Sequence, residues 1–449
     1  MKSSLLTRLP FLRGRLDGHM QEMVSGAAVA FALKVLSAGL TFAFNVVIAR
    51  LLGASGAGVY FLALTVASIG GVSGKCGIDV SLLRFIASGA SNGDWAGVKG
   101  AYVKGIKFAF ISSSVTAIVI FFAAPWFSKA AFSEPGLGAL MRWMSLSIVP
   151  YALYIIHAEI LKGLKRIAES ITVLGVLAPA ISVAGAFVLV PVWGVEGAVA
   201  AFVAACALTL LAGAALWRRA TPQLAGVKGR FEASELWRSA MPMWGVAIVQ
   251  LVFQWSATLM LGVWATPADV GVFGAAQRTA MLTSFVLIAV NSIAAPKFAA
   301  LYVKGDMAAL KATVRGSTKL ITLMAAPVLV MFLVMPRHVM AIFGPQFASE
   351  GASLLSIMAI GQFVNAATGS VGHLLAMSGH ERQMRNGYII SAVITVAVNI
   401  ALIRQWGTLG AAVATAITVA LQNLILVFIA WRKLGIMTIP GLGRWLRAR

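Results

Sequence analysis

The chain alternates between long apolar segments and short polar connections over most of its length. The apolar segments are long enough, as helices, to cross the roughly 30 Å hydrocarbon core of a bilayer. A helix satisfies all its backbone hydrogen bonds internally, so we interpret the segments as transmembrane helices. The pattern predicts twelve of them, at 26–49, 57–80, 102–125, 140–161, 169–191, 196–217, 240–264, 270–295, 317–336, 352–377, 387–403 and 409–431.

Basic residues are concentrated in alternate connections. If the N-terminus is cytoplasmic, 28 Lys and Arg residues lie on the cytoplasmic side, five on the other side and three in or near the spans. Such an excess marks the cytoplasmic side of membrane proteins. We therefore expect a multi-pass protein of the cell inner (cytoplasmic) membrane with both termini in the cytoplasm.

The composition agrees with this pattern. The chain is 60% hydrophobic and 11% charged, whereas soluble domains carry about 25% charged residues. The net charge of +22 is carried by residues that punctuate apolar runs, not by a hydrophilic face. This distribution excludes nucleic acid as the main partner and favours contact with membrane lipids. The two cysteines lie inside apolar runs and support no disulfide.

An internal repeat divides the chain into two halves. Three segments recur at an offset of about 213 residues, pairing 58–60 with 271–273, 93–99 with 305–311, and 193–198 with 406–411. Each half has an even number of spans, so the halves are parallel repeats. We expect an all-α protein of two six-helix lobes around a central cavity, working by alternating access.

The repeat sets the expected domain boundaries. The lobes are placed at 26–217 and 240–432, with a cytoplasmic linker at 218–239 between them. Residues 1–25 are expected to form an amphipathic segment on the cytoplasmic surface, and 433–449 a basic cytoplasmic tail.

Short motifs with a characteristic order and spacing occur in both halves of the chain. They are Ala49-Arg50-Leu51-Leu52-Gly53, Gly58-Val59-Tyr60, Leu83-Arg84-Phe85, Ala268-Asp269-Val270-Gly271-Val272-Phe273, Pro296-Lys297-Phe298 and Phe343-Gly344-Pro345. With these motifs the chain resembles the Wzx-type oligosaccharide flippase family of bacterial polysaccharide synthesis. This family belongs to the superfamily that also contains multidrug extruders and the lipid II flippase.

The resemblance implies transfer of a polyprenyl-pyrophosphate-linked oligosaccharide from the inner to the outer leaflet for surface polysaccharide biosynthesis. It also implies a polysaccharide polymerase and chain-length machinery as partners. Many family members carry an acidic residue in the middle of the seventh helix, where this chain reads Gln254-Trp255-Ser256-Ala257-Thr258. A role for that acid is therefore absent here or lies elsewhere.

Charges inside the spans are costly and mark candidate functional residues. Lys34 lies in the first span, and Ser37, Thr41 and Asn45 follow at spacings that keep them near one helix face. Arg278 lies in the eighth span, in the other lobe. We expect Lys34 and Arg278 to bind the substrate's phosphates, with Thr41 and Asn45 as further contacts. The alternatives are that Lys34 extends to the membrane interface and that Arg278 is paired within the bundle.

Further polar residues are candidates for contacts with the sugar or the phosphates. Arg84 lies where an entering phosphate would pass, and the others are amides in the seventh and tenth spans: Gln250, Gln254, Gln362 and Asn365. Interhelical hydrogen bonding is the alternative role for the amides.

His157 and Glu159, near the inner end of the fourth span, are candidates for coupling transport to H⁺ or Na⁺. A purely interfacial role is the alternative. We find no metal-ligand cluster, nucleotide-binding loop or nucleophile motif in the sequence, so we expect a transporter without a cofactor and not an enzyme.

Two other functions compete with the flippase. A multidrug or cation extruder of the same superfamily would need an acidic cavity, whereas the mid-span charges are positive. A membrane-embedded glycosyl- or phosphotransferase or polymerase would need a large loop with catalytic residues, and the outer loops are short.

Overall fold

The computed structural model describes residues 18–132 and 134–439, and of residues 18–28 the backbone alone. Within these residues the chain is helical and contains no strand. Of the terminal segments expected at 1–25 and 433–449, residues 1–17 and 440–449 lie outside the described part. The helices are α1 Gly18–Gly74, α2 Ile78–Ser91, α3 Trp95–Ala130, α4 Pro135–Ser145, α5 Ile148–Gly163, α6 Ile167–Ile171, α7 Ala178–Ala220, α8 Ala233–Trp264, α9 Pro267–Ala280, α10 Phe285–Val303, α11 Met307–Val334, α12 Pro336–Met340, α13 Pro345–Thr368, α14 Val371–Met377 and α15 Glu381–Leu434.

Three of the helices are long enough to cross the membrane twice, and each reverses direction at a glycine. The glycines are Gly53 in α1, Gly194 in α7 and Gly407 in α15, with φ of 67°, 56° and 55°. A side chain strains such a backbone conformation, and glycine does not. In α1 the rings of Phe44 and Tyr60 lie 6.0 Å apart, whereas sixteen residues of straight helix would separate them by about 24 Å.

These reversals account for the predicted number of spans. Eight helical stretches among the described residues are long and apolar enough to cross a membrane, and a ninth span is formed by α4 and α5, bent by 41°. Dividing α1, the stretch 167–220 and α15 at their glycines gives twelve crossings, six in each half. The all-α prediction with about twelve transmembrane helices is confirmed.

The crossings are less regular than the hydropathy pattern suggests. A π-helical turn, Thr172–Leu177, precedes α7, and a 3₁₀ turn, Met281–Ser284, joins α9 to α10. Gly369, with φ of 70°, separates α13 from α14 inside the tenth span. The hydropathy pattern missed these breaks because small and apolar residues lie on both sides of each.

The internal repeat is present in the backbone as well as in the sequence. Asp94 and Asp306 cap the N-termini of α3 and α11, and their carboxylates accept hydrogen bonds from backbone N–H groups at 2.8 and 2.9 Å. The glycines before them, Gly93 and Gly305, share a φ of 73°. Equivalent turns in both halves therefore start equivalent helices.

The two faces of the bundle differ in charge. The basic face carries the connections 92–94, 164–166, 221–232, 304–306 and 378–380, and the opposite face carries the turns at Gly53, Gly194 and Gly407. Near the opposite face one apolar cluster joins the lobes and includes Phe44 and Phe273. At the basic face the apolar clusters around Leu82 and Phe298 are separate.

Equivalent glycines of the two repeats touch near the opposite face. A Cβ atom on Gly58 of α1 would lie 1.7 Å from the carbonyl oxygen of Pro267, and one on Gly271 of α9 would lie 2.1 Å from that of Ala54. Pro267 and Ala54 are themselves separated by the repeat offset. This reciprocal backbone contact closes the lobes against each other at that face.

The connection between the lobes lies along the N-terminal lobe. The backbone N–H of Arg230 donates to the Ala96 carbonyl at 2.9 Å, and the rings of Phe85 and Phe231 are 5.0 Å apart. The start of α8 continues this contact, since the Ser81 and Ser239 hydroxyls are 2.9 Å apart. Helices α7 and α8 extend into the expected linker 218–239, and their connection is the shorter segment 221–232.

Candidate functional site

A cavity of about 420 Å³ is lined mainly by residues of the N-terminal lobe, and two residues of the C-terminal lobe contribute to its wall. Residues from α1, α5, the 167–220 stretch, α8 and α9 surround it. Its lining residues are Lys34, Ser37, Thr41, Phe44, Asn45, Leu64, Ser68, Tyr151, Tyr154, Ile171, Leu174, Gly175, Ala178, Pro179, Ser182, Phe202, Trp255 and Arg278. We call this the polar cavity.

The polar stripe predicted on the first span lines this cavity. Lys34, Ser37, Thr41 and Asn45 all contribute to its wall, because residues three or four apart share one side of a helix. The amide nitrogen of Asn45 donates to the Thr41 carbonyl at 2.7 Å, which leaves its amide oxygen available as an acceptor. The stripe thus presents a cation, two hydroxyls and an amide to the cavity.

Arg278 reaches the same cavity from the other lobe. Its Nη1 donates to the Gly274 carbonyl at 3.0 Å, and its guanidinium carbon lies 4.0 Å from the centroid of the Phe61 ring. Phe61 belongs to α1, so this cation–π contact joins the two lobes. Arginine has five N–H donors, and one of them is used by Gly274.

The electrostatic character of the polar cavity is positive. Two of its described lining residues, Lys34 and Arg278, are cations and none is a carboxylate. Low-dielectric walls strengthen the field of such charges and favour an anionic ligand. The surrounding hydroxyls, amide and aromatic rings are suited to a large polar group attached to that anion.

Two parts of the cavity wall were missed by the sequence reasoning. The π-helical turn contributes Leu174 and Gly175, and a Cβ atom on Gly175 would lie 2.0 Å from the Ser37 hydroxyl. Tyr151, Tyr154 and Trp255 supply an aromatic wall, with the two tyrosine rings 5.4 Å apart. Gly175 with nearby Pro179 was the sequence signal for an irregular helix here.

The other candidates for sugar or phosphate contacts lie away from the described wall of the polar cavity. Arg84 is exposed near the basic face, with its guanidinium carbon 5.2 Å from the centroid of Phe85. Gln250 and Gln254 are exposed on α8. Trp255, next to Gln254, is the residue of α8 that lines the cavity.

Gln362 and Asn365 lie inside the C-terminal lobe. The Gln362 amide oxygen accepts from the Ser284 hydroxyl at 3.0 Å and from the Asn365 amide at 3.4 Å. The bond from Ser284 joins α13 to the 3₁₀ turn, which is the interhelical role considered as the alternative for Gln362, whereas the bond from Asn365 lies within α13.

The two ion-coupling candidates also lie outside the polar cavity as lined by described residues. His157 is buried, with Nδ1 2.8 Å from the Leu153 carbonyl and Nε2 3.2 Å from the Tyr102 hydroxyl. A carbonyl can only accept, so Nδ1 carries the proton. Glu159 forms an ion pair with Lys162 at 2.7 Å, and both roles in coupling stay predictions.

The described residues contain no group of three or more His, Cys, Asp and Glu side chains that could hold a metal ion. The polar groups that line the polar cavity are those of lysine, arginine, serine, threonine, asparagine, tyrosine and tryptophan side chains.

Comparison with protein families gives one match over most of the chain. The model of a family described as "Polysaccharide biosynthesis protein" matches residues 23–301. A protein of Haloferax volcanii named "Probable low-salt glycan biosynthesis flippase" is 24% identical over 398 residues. That alignment covers 88% of this chain and 80% of the relative.

Solved structures share the fold. An inward-facing multidrug resistance transporter of the MATE family superposes with a TM-score of 0.74 at 14% identity, over 91% of this chain and 98% of the other. The lipid II flippase MurJ in an inward closed conformation superposes with a TM-score of 0.69 at 13% identity, over 91% of this chain and 87% of the other. At these identities the likeness concerns the fold.

Proposed function

The chain belongs to the polysaccharide biosynthesis protein family, and from this premise we propose that it is a flippase for a lipid-linked oligosaccharide. Its cargo is a polyprenyl-pyrophosphate-linked oligosaccharide of surface polysaccharide biosynthesis. The cargo moves from the inner to the outer leaflet of the cytoplasmic membrane by alternating access, without chemical conversion and without a cofactor.

The observation that carries this proposal is that Lys34 and Arg278 both line one cavity, with no carboxylate among its described lining residues. A glycosyl pyrophosphate entering a membrane interior needs cations to replace its hydration. Arginine binds phosphate oxygens through two parallel N–H groups, and lysine adds a mobile point charge. Because the two cations come from different lobes, a bound pyrophosphate bridges the lobes.

The rest of the wall suits the glycan. Thr41, Asn45 and Ser37 supply hydrogen-bonding groups, and Tyr151, Tyr154 and Trp255 supply aromatic faces. Hydroxyl and amide groups pair with sugar hydroxyls, and rings pack against the apolar faces of sugars. These contacts orient the cargo while the cations hold its phosphates.

The direction of transport follows from placing the basic face in the cytoplasm. The lobes are closed against each other near the opposite face, at Gly58 and Gly271. At the basic face their apolar clusters are separate, and the contact there is made by the start of α8, where Leu236 and Ala240 pack on the N-terminal lobe. The structure thus supports a state that receives cargo from the cytoplasmic side. Release on the other side requires the Gly58–Gly271 contact to open.

The extruder of cationic compounds is the alternative function. It requires acidic side chains in the cavity, and the positive wall opposes cationic cargo. H⁺ or Na⁺ coupling through His157 and Glu159 and association with a polymerase and chain-length machinery remain parts of the proposal.

Reconstitution into liposomes tests the proposal. We expect the purified protein to move a lipid-linked oligosaccharide between leaflets, and Lys34→Ala and Arg278→Ala to reduce the rate at least tenfold. Lys34→Arg should retain more activity than Lys34→Ala, since it keeps the charge. Arg337→Ala, which removes an exposed charge near the opposite face, is the matched control.

Wild-type rates in both cavity variants contradict the phosphate-binding role. Transport of organic cations by the wild type, without movement of the oligosaccharide lipid, supports the extruder instead.

A further inference from the structure

A second cavity, of about 410 Å³, lies beside the polar cavity and is lined by apolar side chains alone. We call it the apolar cavity. Its described lining residues come from α1, α3, α4, α8 and the turn after α3. They are Val66, Ile69, Val119, Ile120, Ala123, Ala124, Phe127, Ala131, Phe132, Met141, Leu259, Met260 and Val263.

The two cavities share two helical walls. On α1, Ser68 lines the polar cavity and the next residue, Ile69, lines the apolar one. On α8, Trp255 lines the polar cavity, and Leu259, one turn farther on, lines the apolar one. The cavities are therefore neighbours, on adjacent faces of α1 and on successive turns along one side of α8.

The apolar cavity opens sideways toward the lipid. Val119, Phe127 and Val263 on its rim are 59%, 47% and 43% exposed, on a surface that faces hydrocarbon in a bilayer. Next to Val263, α8 packs closely on α1 and on the turn after α3, since a Cβ atom on Gly262 would approach Leu62 to 2.5 Å and Phe132 to 2.8 Å. The opening thus admits an apolar chain from the membrane.

We propose that the apolar cavity binds the isoprenoid chain of the cargo while the polar cavity holds its pyrophosphate. This inference rests on the proposed function. A lipid-linked oligosaccharide has one anionic polar head and one long apolar chain, and the two adjoining cavities match these parts. A phospholipid is the other membrane component with an apolar chain and a phosphate, and the experiments below distinguish the two occupants.

The effect of the chain on binding is modest for a physical reason. The chain leaves hydrocarbon to enter the cavity, so no apolar surface is removed from water. The gain comes from packing against fixed walls and from holding the head group near its site. We expect the apolar cavity to change affinity by about tenfold and to discriminate chains by length and shape.

Filling the cavity tests the proposal with two probes. Ala123→Trp places an indole in the cavity, and Ile118→Trp places the same group on the lipid-facing side of α3, where Ile118 is 56% exposed and does not line the cavity. The probes are a long-chain polyprenyl pyrophosphate and an analogue with the same head group on a single isoprene unit. Binding is measured in nanodiscs.

We expect Ala123→Trp to weaken the long-chain probe about tenfold and to leave the short-chain probe unchanged, while Ile118→Trp changes neither. Equal effects on both probes, or no effect on either, overturn the chain site. If the wild type binds neither probe, the proposed function fails. If it binds both equally, the chain site alone fails.

A photoreactive residue identifies the occupant directly. Benzoylphenylalanine at Met260 should crosslink to the long-chain probe. A large excess of the short-chain probe should reduce this crosslinking, because the two probes share the head-group site. Crosslinking to phospholipid alone, unchanged by the long-chain probe, overturns the assignment to the cargo.

Discussion

The contact between Gly58 and Gly271 makes a sharp prediction about alternating access. In Gly58→Ala the new methyl group would lie 1.7 Å from the Pro267 carbonyl oxygen, whereas real Cβ contacts are essentially never shorter than 3.0 Å. The carbonyl oxygen that this methyl group meets belongs to the backbone, so it cannot rotate away as a side chain can. The closed contact between α1 and α9 must therefore widen by more than an ångström.

Overpacking of this kind costs about 1–3 kcal/mol. Because the methyl group is harmful where the lobes are closed and harmless where they separate, this energy shifts the equilibrium between the two states. A difference of about 1–3 kcal/mol corresponds to roughly a 5- to 150-fold change in their ratio. We expect Gly58→Ala to favour the state open at the opposite face.

Thiol labelling measures this shift. Cys76 and Cys206 are replaced by alanine, and Ala57→Cys, at a fully buried position beside Gly58, supplies the reporter. A membrane-impermeant reagent applied from the opposite face should label this thiol about 5–150 times faster in Gly58→Ala. Gly39→Ala on the same helix is the control, since nothing lies within 4 Å of its new methyl group.

Equal labelling rates in Gly58→Ala and in the control Gly39→Ala, with equal melting temperatures, refute the reasoning. A fall in melting temperature for Gly58→Ala without faster labelling shows that the contact stabilises the fold and not one state. Gly271→Ala should act like Gly58→Ala, and the double variant should show less than the sum, because one separation relieves both clashes.

Two further predictions concern named contacts. Phe61→Leu removes the cation–π contact of Arg278, which is worth about 0.5–2 kcal/mol, and should speed labelling of the Ala57→Cys reporter roughly 2- to 30-fold. The control is Phe298→Leu, at another fully buried phenylalanine, which should not change the labelling rate. Equal acceleration in both variants would assign the effect to lost side-chain volume. Asp94→Ala and Asp306→Ala each remove a helix N-cap and should lower stability by about 0.5–2 kcal/mol. Replacement by asparagine should restore most of it, and melting temperatures that do not change would contradict the capping role.

The sequence predicted the crossings and the repeat because both are local properties. Hydropathy is read residue by residue, and a bilayer imposes one length on every span. The repeat was found through small motifs, and the structure gives these motifs a common role. Gly194 and Gly407 reverse the direction of the chain, and Asp94 and Asp306 cap helices. Gly58 and Gly271 allow the backbones of α1 and α9 to touch.

The candidate site was predicted in part, and the difference has a physical cause. Lys34, Thr41 and Asn45 share one face of one helix, so helical spacing alone places them together. Arg278 was selected because a charge inside a span is costly, a property of the residue itself. Gln362 and Asn365 were selected as polar residues too, but Gln362 bonds to Ser284 and to Asn365 of its own helix, and polar groups satisfy each other inside a bundle as readily as they bind a ligand.

What the sequence determined by itself was therefore the class of protein, the number of crossings, the repeat and the residues whose burial in a membrane demands a partner. Only the tertiary structure decided which of those residues meet. The polar cavity joins α1 to Trp255 and Arg278 of the other lobe, and the apolar cavity lies between α3 and α8. Such contacts depend on how the helices break and pack, at Gly53, in the π-helical turn and at the Gly58–Gly271 crossing. The breaks and the packing of the helices depend on shape complementarity between segments that are distant in the chain. Hydropathy and residue spacing within one segment carry no information about it.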